Sequence, residues 1–163
     1  MSMLRSNESL TNLTDFVMQE AELADTHSYD QWLALWNQTE ALYFVPYGDI
    51  DEPGLTVAVI RDDYLRMCDR INRLKSGQAH TQEPKSTLSR VLGQPVVRSL
   101  DDGRYLVQAK FVCVEIRPDR EFLWAGTAKY TLAEVGTDRV ELHRKVVHLV
   151  NLVRPVPALT FII

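Results

Sequence analysis

The chain has 163 residues, 45% hydrophobic and 25% charged, with a formal net charge of −4 and a sequence pI near 5.5. A chain of this size and balance can bury a full core as one domain without disulfide or metal staples. The acidic balance argues against a surface built for phosphate backbones or anionic membranes, which need a concentrated positive field.

Cys68 and Cys113 lie far apart and in no paired motif, which fits two thiols in a reducing, cytoplasmic setting. No apolar run approaches the roughly 20 residues of a membrane span, and the opening stretch MSMLRSNESL has no signal-like apolar core.

In chain order, residues 1–8 are polar and read as a loose tail, leaving 9–163 as a single domain. From Thr11 to Asp25, Leu13, Phe16, Val17, Glu20, Ala21 and Ala24 recur at helical spacing, which predicts a first helix with one mostly apolar face. In SYDQWLALW, Ser28 followed by Gln31 has the form of a capping box. It predicts a second helix carrying Trp32, Leu33 and Trp36. EALYFVPYGD and LTVAVIRD read as strands, bounded by Pro46, Gly48, Pro53 and Gly54. A third helix is expected over residues 62–76, with Asp62 and Asp63 favouring its start and Gly77 its end.

Beyond residue 87 the runs near 87–98, 104–117, 121–134 and 139–152, separated by DDGR, RPDR and VGTD, predict consecutive antiparallel hairpins. Phe122, Trp124, Gly126, Ala128, Tyr130 and Leu132 share one face of the third run. The fold class is therefore α+β, a curved antiparallel sheet packed on about three helices. The closing run LVNLVRPVPALTFII leaves apolar residues that must pair into the sheet or meet another chain.

Several chemistries find no support in the residues. No GxGxxG, GxxxxGK or GxSxG is present, and neither cysteine sits in the paired Cys/His motif of a Rieske cluster. His27, His80, His143 and His148 do not pair at metal-ligand spacing. Acid/base work inside an α+β cone would draw on Tyr29, Asp30, Tyr43, Tyr47 and His80. Asp30 also suits the first turn of a helix with no substrate in view, and a lone loop histidine such as His80 is more often solvated.

Arg66, Arg70 and Arg73 share one face of the third helix. The plain reading is a solvated face; the functional one is a docking surface for carboxylates of another subunit. Six aromatic residues between Tyr29 and Tyr47 read as a core wall before they read as a ring-binding box.

The order of EAELADTHSYDQWLALW, ALYFVPY, IRDDYLRMCDRINRLKSGQAHTQEPKSTLSR and LHRKVVHLVN resembles the small (beta) subunit of bacterial aromatic-ring-hydroxylating dioxygenases, over roughly residues 13–163. The resemblance implies a cystatin-like or nuclear-transport-factor-like cone. It also implies assembly of a trimer with catalytic large (alpha) subunits as three plus three. The Rieske iron-sulfur cluster and the mononuclear non-haem iron would be in the large subunit, with electrons arriving from NADH through a reductase. No catalytic, cofactor or metal residue is carried over. Asp62, Asp63, Leu65, Arg70, Arg73, Leu74 and Arg144 match the family pattern and are expected at packing and interface positions.

His80 stands where relatives often carry tryptophan, and Gly93 where asparagine is common. The expected function is that of a non-catalytic structural small subunit that stabilises the large one. The alternative is a stand-alone hydratase or isomerase on the same cone, acting on a small cyclic substrate.

Overall fold

The computed structural model describes residues 7–76 and 84–163, so the expectations for Gly77 and His80 lie outside the described residues. Helix α1 spans Asn7–Asp25 and buries Leu13, Phe16, Val17, Glu20, Ala21, Leu23 and Ala24. It starts earlier than the apolar period alone indicates, so Asn7 and Glu8 are helical rather than part of a loose tail. Glu8 lies in the first turn, where the helix dipole favours a carboxylate.

The end of α1 explains why the expected capping box does not form. The Ser28 N–H bonds the Leu23 carbonyl at 2.9 Å and the His27 N–H bonds that of Ala24 at 3.3 Å. His27 takes a positive φ of 56°. This is a Schellman-type termination, with histidine in the place usually given to glycine. Ser28 therefore serves the end of one helix and makes no side-chain cap on the next; its hydroxyl lies 2.9 Å from that of Thr26. Helix α2 is consequently short, Tyr29–Leu33. Trp36, expected on it, instead lies in a bridge to Leu142.

Strands β1 (Leu42–Pro46) and β2 (Ala58–Asp62) precede helix α3 (Tyr64–Ser76). Asp63 caps α3: its carboxylate accepts the Arg66 N–H at 2.9 Å. Asp62 instead belongs to β2. Met67, Ile71 and Leu74 face the core. Strands β3 (Thr87–Leu92), β4 (Val96–Ser99), β5 (Tyr105–Arg117), β6 (Arg120–Val135) and β7 (Arg139–Leu149) follow, then a 3-10 turn at Val150–Val153. The run expected over 87–98 is thus two strands, divided at Gly93–Pro95.

The strands form one sheet in the order β2-β1-β7-β6-β5-β3, with β4 also pairing β5. The sheet is mixed, not purely antiparallel, because β1 runs parallel to β7 with Leu42 opposite Arg144, Tyr43 opposite Lys145 and Phe44 opposite Val146. Tight turns force antiparallel pairing on β5, β6 and β7. No such turn joins β1 to β7, so nothing local dictates their direction. Register shifts at Val45/Pro46 and Thr131/Leu132 mark bulges, which bend a sheet.

Helix α1 lies across β3, β5 and β7, and α3 beside β2 and α2, so the helices close the inner face of an open, curved sheet. Alternation along β5 and β6 is as the sequence predicts, with Trp124, Ala128, Tyr130 and Leu132 buried opposite Cys113, Ala109, Val107 and Tyr105. Gly126 is required where β6 meets β7: a Cβ there would run into the His148 carbonyl oxygen. Trp32, Trp36 and Tyr43 pack edge-on or tilted with ring centroids 5.3–6.3 Å apart. The aromatic cluster is a wall of the core. Phe44, on the other face of β1, is buried too.

Candidate functional site

Between the helices and the inner face of the sheet lies a cluster of charged and hydroxyl side chains with almost no exposure. Glu20 comes from α1 and Lys145 from β7, and the Lys145 ammonium donates to Glu20 Oε1 at 2.7 Å, with both side chains at 0% exposure. Trp32 Nε1 donates to the same oxygen at 2.7 Å, and the Tyr130 hydroxyl donates to Oε2 at 3.2 Å. Lys145 lies between its cross-strand neighbours, 5.8 Å from the Tyr43 ring centroid and 5.6 Å from that of Tyr130.

Arg90 from β3 continues the cluster. Its guanidinium lies 3.1 Å from Asp25 Oδ1, is stacked 5.9 Å from the centre of Phe111, and donates to the Ile162 main-chain oxygen at 2.8 Å.

The electrostatics follow from burial and pairing. Burial alone would raise the Glu20 carboxyl, but the charges of Lys145 and Arg90 and the donated hydrogen bonds outweigh it and hold the group below its ordinary value. Burial lowers Lys145, with Glu20 only partly offsetting it. The Tyr43 and Tyr130 hydroxyls are pushed well up, chiefly by burial. The cluster is a hydrogen-bonded unit whose Glu20–Lys145 pair is costly to desolvate and more costly to break on one side.

A second buried carboxylate, Glu115, accepts from the Ser86 hydroxyl at 2.6 Å and from Trp124 Nε1 at 3.0 Å. The indoles of Trp32 and Trp124 thus each find a buried carboxylate.

The residues weighed from the sequence are distributed differently. Tyr43 is in the cluster, but its hydroxyl is tied at 2.9 Å to both the oxygen and the N–H of Ile163. The Asp30 side chain is 75% exposed and bound to Lys75 at 2.8 Å. It lines an open groove of about 440 Å³ with His27, Ser28, Tyr29, Gln31, Lys75 and Lys85. Tyr47 is exposed. The structure thus does not bring Asp30, Tyr43 and Tyr47 into one pocket.

In the Asp30 groove His27 bridges the Tyr29 hydroxyl and the Ser86 carbonyl, each at 2.8 Å. The carbonyl can only accept, so Nε2 carries the proton and Nδ1 accepts from Tyr29, whose own pKa burial raises to about 12. No group of three His, Cys, Asp or Glu side chains among the described residues is placed to hold a metal ion.

Of the four arginines, Arg70 is bound to Asp62 at 2.6 Å, and Arg144 to Glu52 at 2.7 Å and to the Asp51 carbonyl at 2.9 Å. Arg66 and Arg73 are exposed, the former reaching the Arg61 carbonyl at 3.2 Å.

Glu20 falls on the apolar face of α1 by its period, and nothing near it in the sequence names the group that neutralises it. A carboxylate at a core-facing period, and a lysine inside the run KVVHLV, were the two signals available; their separation of 125 residues hid the pairing.

Residues 19–155 match the family described as ring hydroxylating beta subunit. The chain is 26% identical over 128 residues to the small oxygenase component of the p-cumate 2,3-dioxygenase system of Pseudomonas putida, covering 77% of this chain and 71% of that one. It is 29% identical over 149 residues to the small subunit of 2-halobenzoate 1,2-dioxygenase of Burkholderia cepacia, covering 85% and 87%. Its fold matches the crystal structure of the beta subunit of benzoate 1,2-dioxygenase from Burkholderia mallei with a TM-score of 0.76 at 20% identity, over 99% of this chain and 100% of that one. The cone with helices closing a curved sheet, and the match across most of the sequence, lead to one conclusion: the chain belongs to the family of small (beta) subunits of ring-hydroxylating dioxygenases.

Proposed function

We propose that this chain is the structural small subunit of a Rieske-type aromatic-ring-hydroxylating dioxygenase, working in the cytoplasm. In this reading it forms a trimer and assembles three plus three with the catalytic large subunit. The large subunit carries the Rieske cluster and the mononuclear iron, and this chain supplies the framework that holds it.

The observation that carries the reading is the distribution of apolar surface. Inside, the described cone is packed and its charges are paired. Outside, two apolar surfaces stand at opposite ends of the sheet. On β3, β5 and β6 the rows Val91–Val112–Ala125 and Ser89–Val114–Leu123 form a stripe, with Val91, Val112, Val114 and Leu123 all exposed. Beside the edge strand β2, Leu55, Val57 and Leu65 are exposed next to Arg61 and Arg66. Unpartnered apolar area of this kind marks protein contacts. Two such surfaces suit a subunit with two kinds of neighbour: another copy on the β3–β5–β6 stripe, and the large subunit on the arginine-bearing α3 side. Arg61, Arg66 and Arg73 are exposed on that side; Arg70 and Arg144 brace it through Asp62 and Glu52.

The alternative of a stand-alone hydratase loses support from geometry, because the Asp30 carboxylate stands in solvent while the Tyr43 hydroxyl is sealed in the core.

The test is the native mass and iron content of this chain expressed alone and together with its large subunit. The reading expects a metal-free trimer that joins a larger, iron-bearing complex. Iron bound by the purified chain alone, or turnover by it, overturns the reading.

A further inference from the structure

The loop between β1 and β2 is tied to the outer face of the sheet by charge. Lys129 is the cross-strand neighbour of Val146, and Arg144 and His148 lie two residues to either side of Val146 on β7. All four share the outer face, with Phe44 beside Val146 on β1. The Lys129 ammonium donates to both Asp51 carboxylate oxygens at 2.8 Å, and His148 Nε2 is 2.7 Å from Oδ1. Arg144 reaches the Glu52 carboxylate at 2.7 Å and the Asp51 carbonyl at 2.9 Å. Arg61 on β2 donates to the Gly54 carbonyl at 2.9 Å. Burial raises the Asp51 carboxyl, but the hydrogen bonds from Lys129 and His148 outweigh it and hold the group below its ordinary value. A lone surface ion pair contributes little, whereas several donors converging on one carboxylate fix a geometry. Anchored around Val146, the loop lies over Phe44 and Val146, which are at 0% and 4% exposure although they face away from the helices.

What this loop leaves outside is apolar. Leu55 is fully exposed, and Val57 and, at the start of α3, Leu65 are each at 74% exposure. Arg61 links the three: its guanidinium holds Gly54, next to Leu55, and its carbonyl accepts from Arg66, next to Leu65. A loop that had only to cover Phe44 and Val146 would turn its leucine and valine onto them. Here the acidic residues bind the cations of the sheet and the apolar ones face solvent, an order that serves a partner. Resting on the reading of the chain as a small subunit, we propose that residues 48–54 are a clasped strap, pinned by Asp51, that holds Leu55 and Val57 beside Leu65. They form a preformed seat for a segment of the large subunit that is apolar at its centre and carries carboxylates at its rim. The carboxylates answer Arg61 and Arg66, each of which uses one Nη1 within the chain and has further N–H donors in its fork. Asp51 is a positioning residue: it fixes the strap before the partner arrives, so less freedom is lost on binding.

The test is a competition between full chains. Wild type and one variant, told apart by mass, are co-expressed with a limiting amount of the large subunit, and their ratio in the purified complex is read by mass spectrometry. Asp51→Asn is expected to enter the complex about tenfold less than wild type, and Leu55→Asp likewise. Asp51→Glu keeps the carboxylate and is expected within about threefold of wild type. Chymotrypsin should nick the isolated Asp51→Asn chain at Tyr47 or Leu55 at least about tenfold faster than wild type, with native mass and unfolding midpoint unchanged. Parity of Asp51→Asn with wild type in the complex, or equal nicking rates, overturns the strap. So does an equal loss in Asp51→Asn and Asp51→Glu. A changed native mass of the isolated Leu55→Asp chain overturns the choice of occupant, since that surface would then join copies of this chain. A wild-type chain that forms no complex with the large subunit removes both the small-subunit reading and the strap, whereas variants at parity inside a complex that does form remove the strap alone.

Discussion

The two faces of strand β5 carry the same kinds of residue to opposite ends. Its inner face presents Val107, Ala109, Phe111, Cys113 and Glu115, all buried. Its outer face presents Val112, Val114 and Ile116 at 37–42% exposure. Valine is buried on one side and left in solvent on the other, while a carboxylate is buried on the inside. Hydrophobicity alone therefore does not sort this strand. The inner face is shaped by helices folding onto it, and its polar groups are tolerated because each has a partner. The outer face has no covering element among the described residues, so folding of this chain leaves its apolar rows unexplained, and the assembly proposed above would cover them.

Mutations should divide along this line. The largest expected effect is Lys145→Met, which leaves the Glu20 carboxylate buried and unpaired and should cost about 3–5 kcal/mol in denaturant unfolding. The double variant Glu20→Gln, Lys145→Met should recover most of that loss. A double variant as unstable as the single one would show that the cluster's value is not its charge pairing. Next comes Gly126→Ala, expected to cost about 1–3 kcal/mol because a Cβ must displace main chain at the β6–β7 contact; an unchanged unfolding midpoint would mean that the two strands separate there freely.

Acid titration probes the inner face more gently. The folded chain holds Glu20 below its ordinary value, so the unfolded chain binds its proton more readily. The associated stability is present above the unfolded glutamate pKa of about 4.3 and is lost as pH falls through the folded value. Stability measured from pH 7 downward should therefore fall in this window in the wild type and less steeply in Glu20→Gln. Parallel curves would locate the acid sensitivity elsewhere.

The smallest effect on folding is expected outside. Val114→Lys should change the stability of the isolated chain by no more than about 0.5 kcal/mol, yet, under the proposed trimeric assembly, shift its native mass to that of a monomer. A trimer unchanged by the lysine would remove the β3–β5–β6 stripe from the interface.

Much of the framework was legible because it is local. Helical spacing identified α1 and α3, hairpin turns and period-two alternation identified β5 to β7, and the crowding of Trp32, Trp36 and Tyr43 identified a wall. Ser28 was misread because the same residue can open one helix or close the one before it, and only the Leu23 carbonyl decides. Trp36 left the helix for the same reason: α2 is too short to reach it. The direction of β1 against β7, the meeting of Glu20 with Lys145, and the burial of Phe161–Ile163 on Tyr43 join residues 100 to 125 positions apart or more loosely tethered still.

The sequence by itself determined the elements, the core-facing periods and the family, since these rest on spacing and residue type along a short stretch. Only the tertiary structure decided which buried charge meets which, which face of the sheet stays uncovered, and where the apolar end goes. Those outcomes depend on long-range closure, where desolvation makes a partner obligatory but no local rule names it.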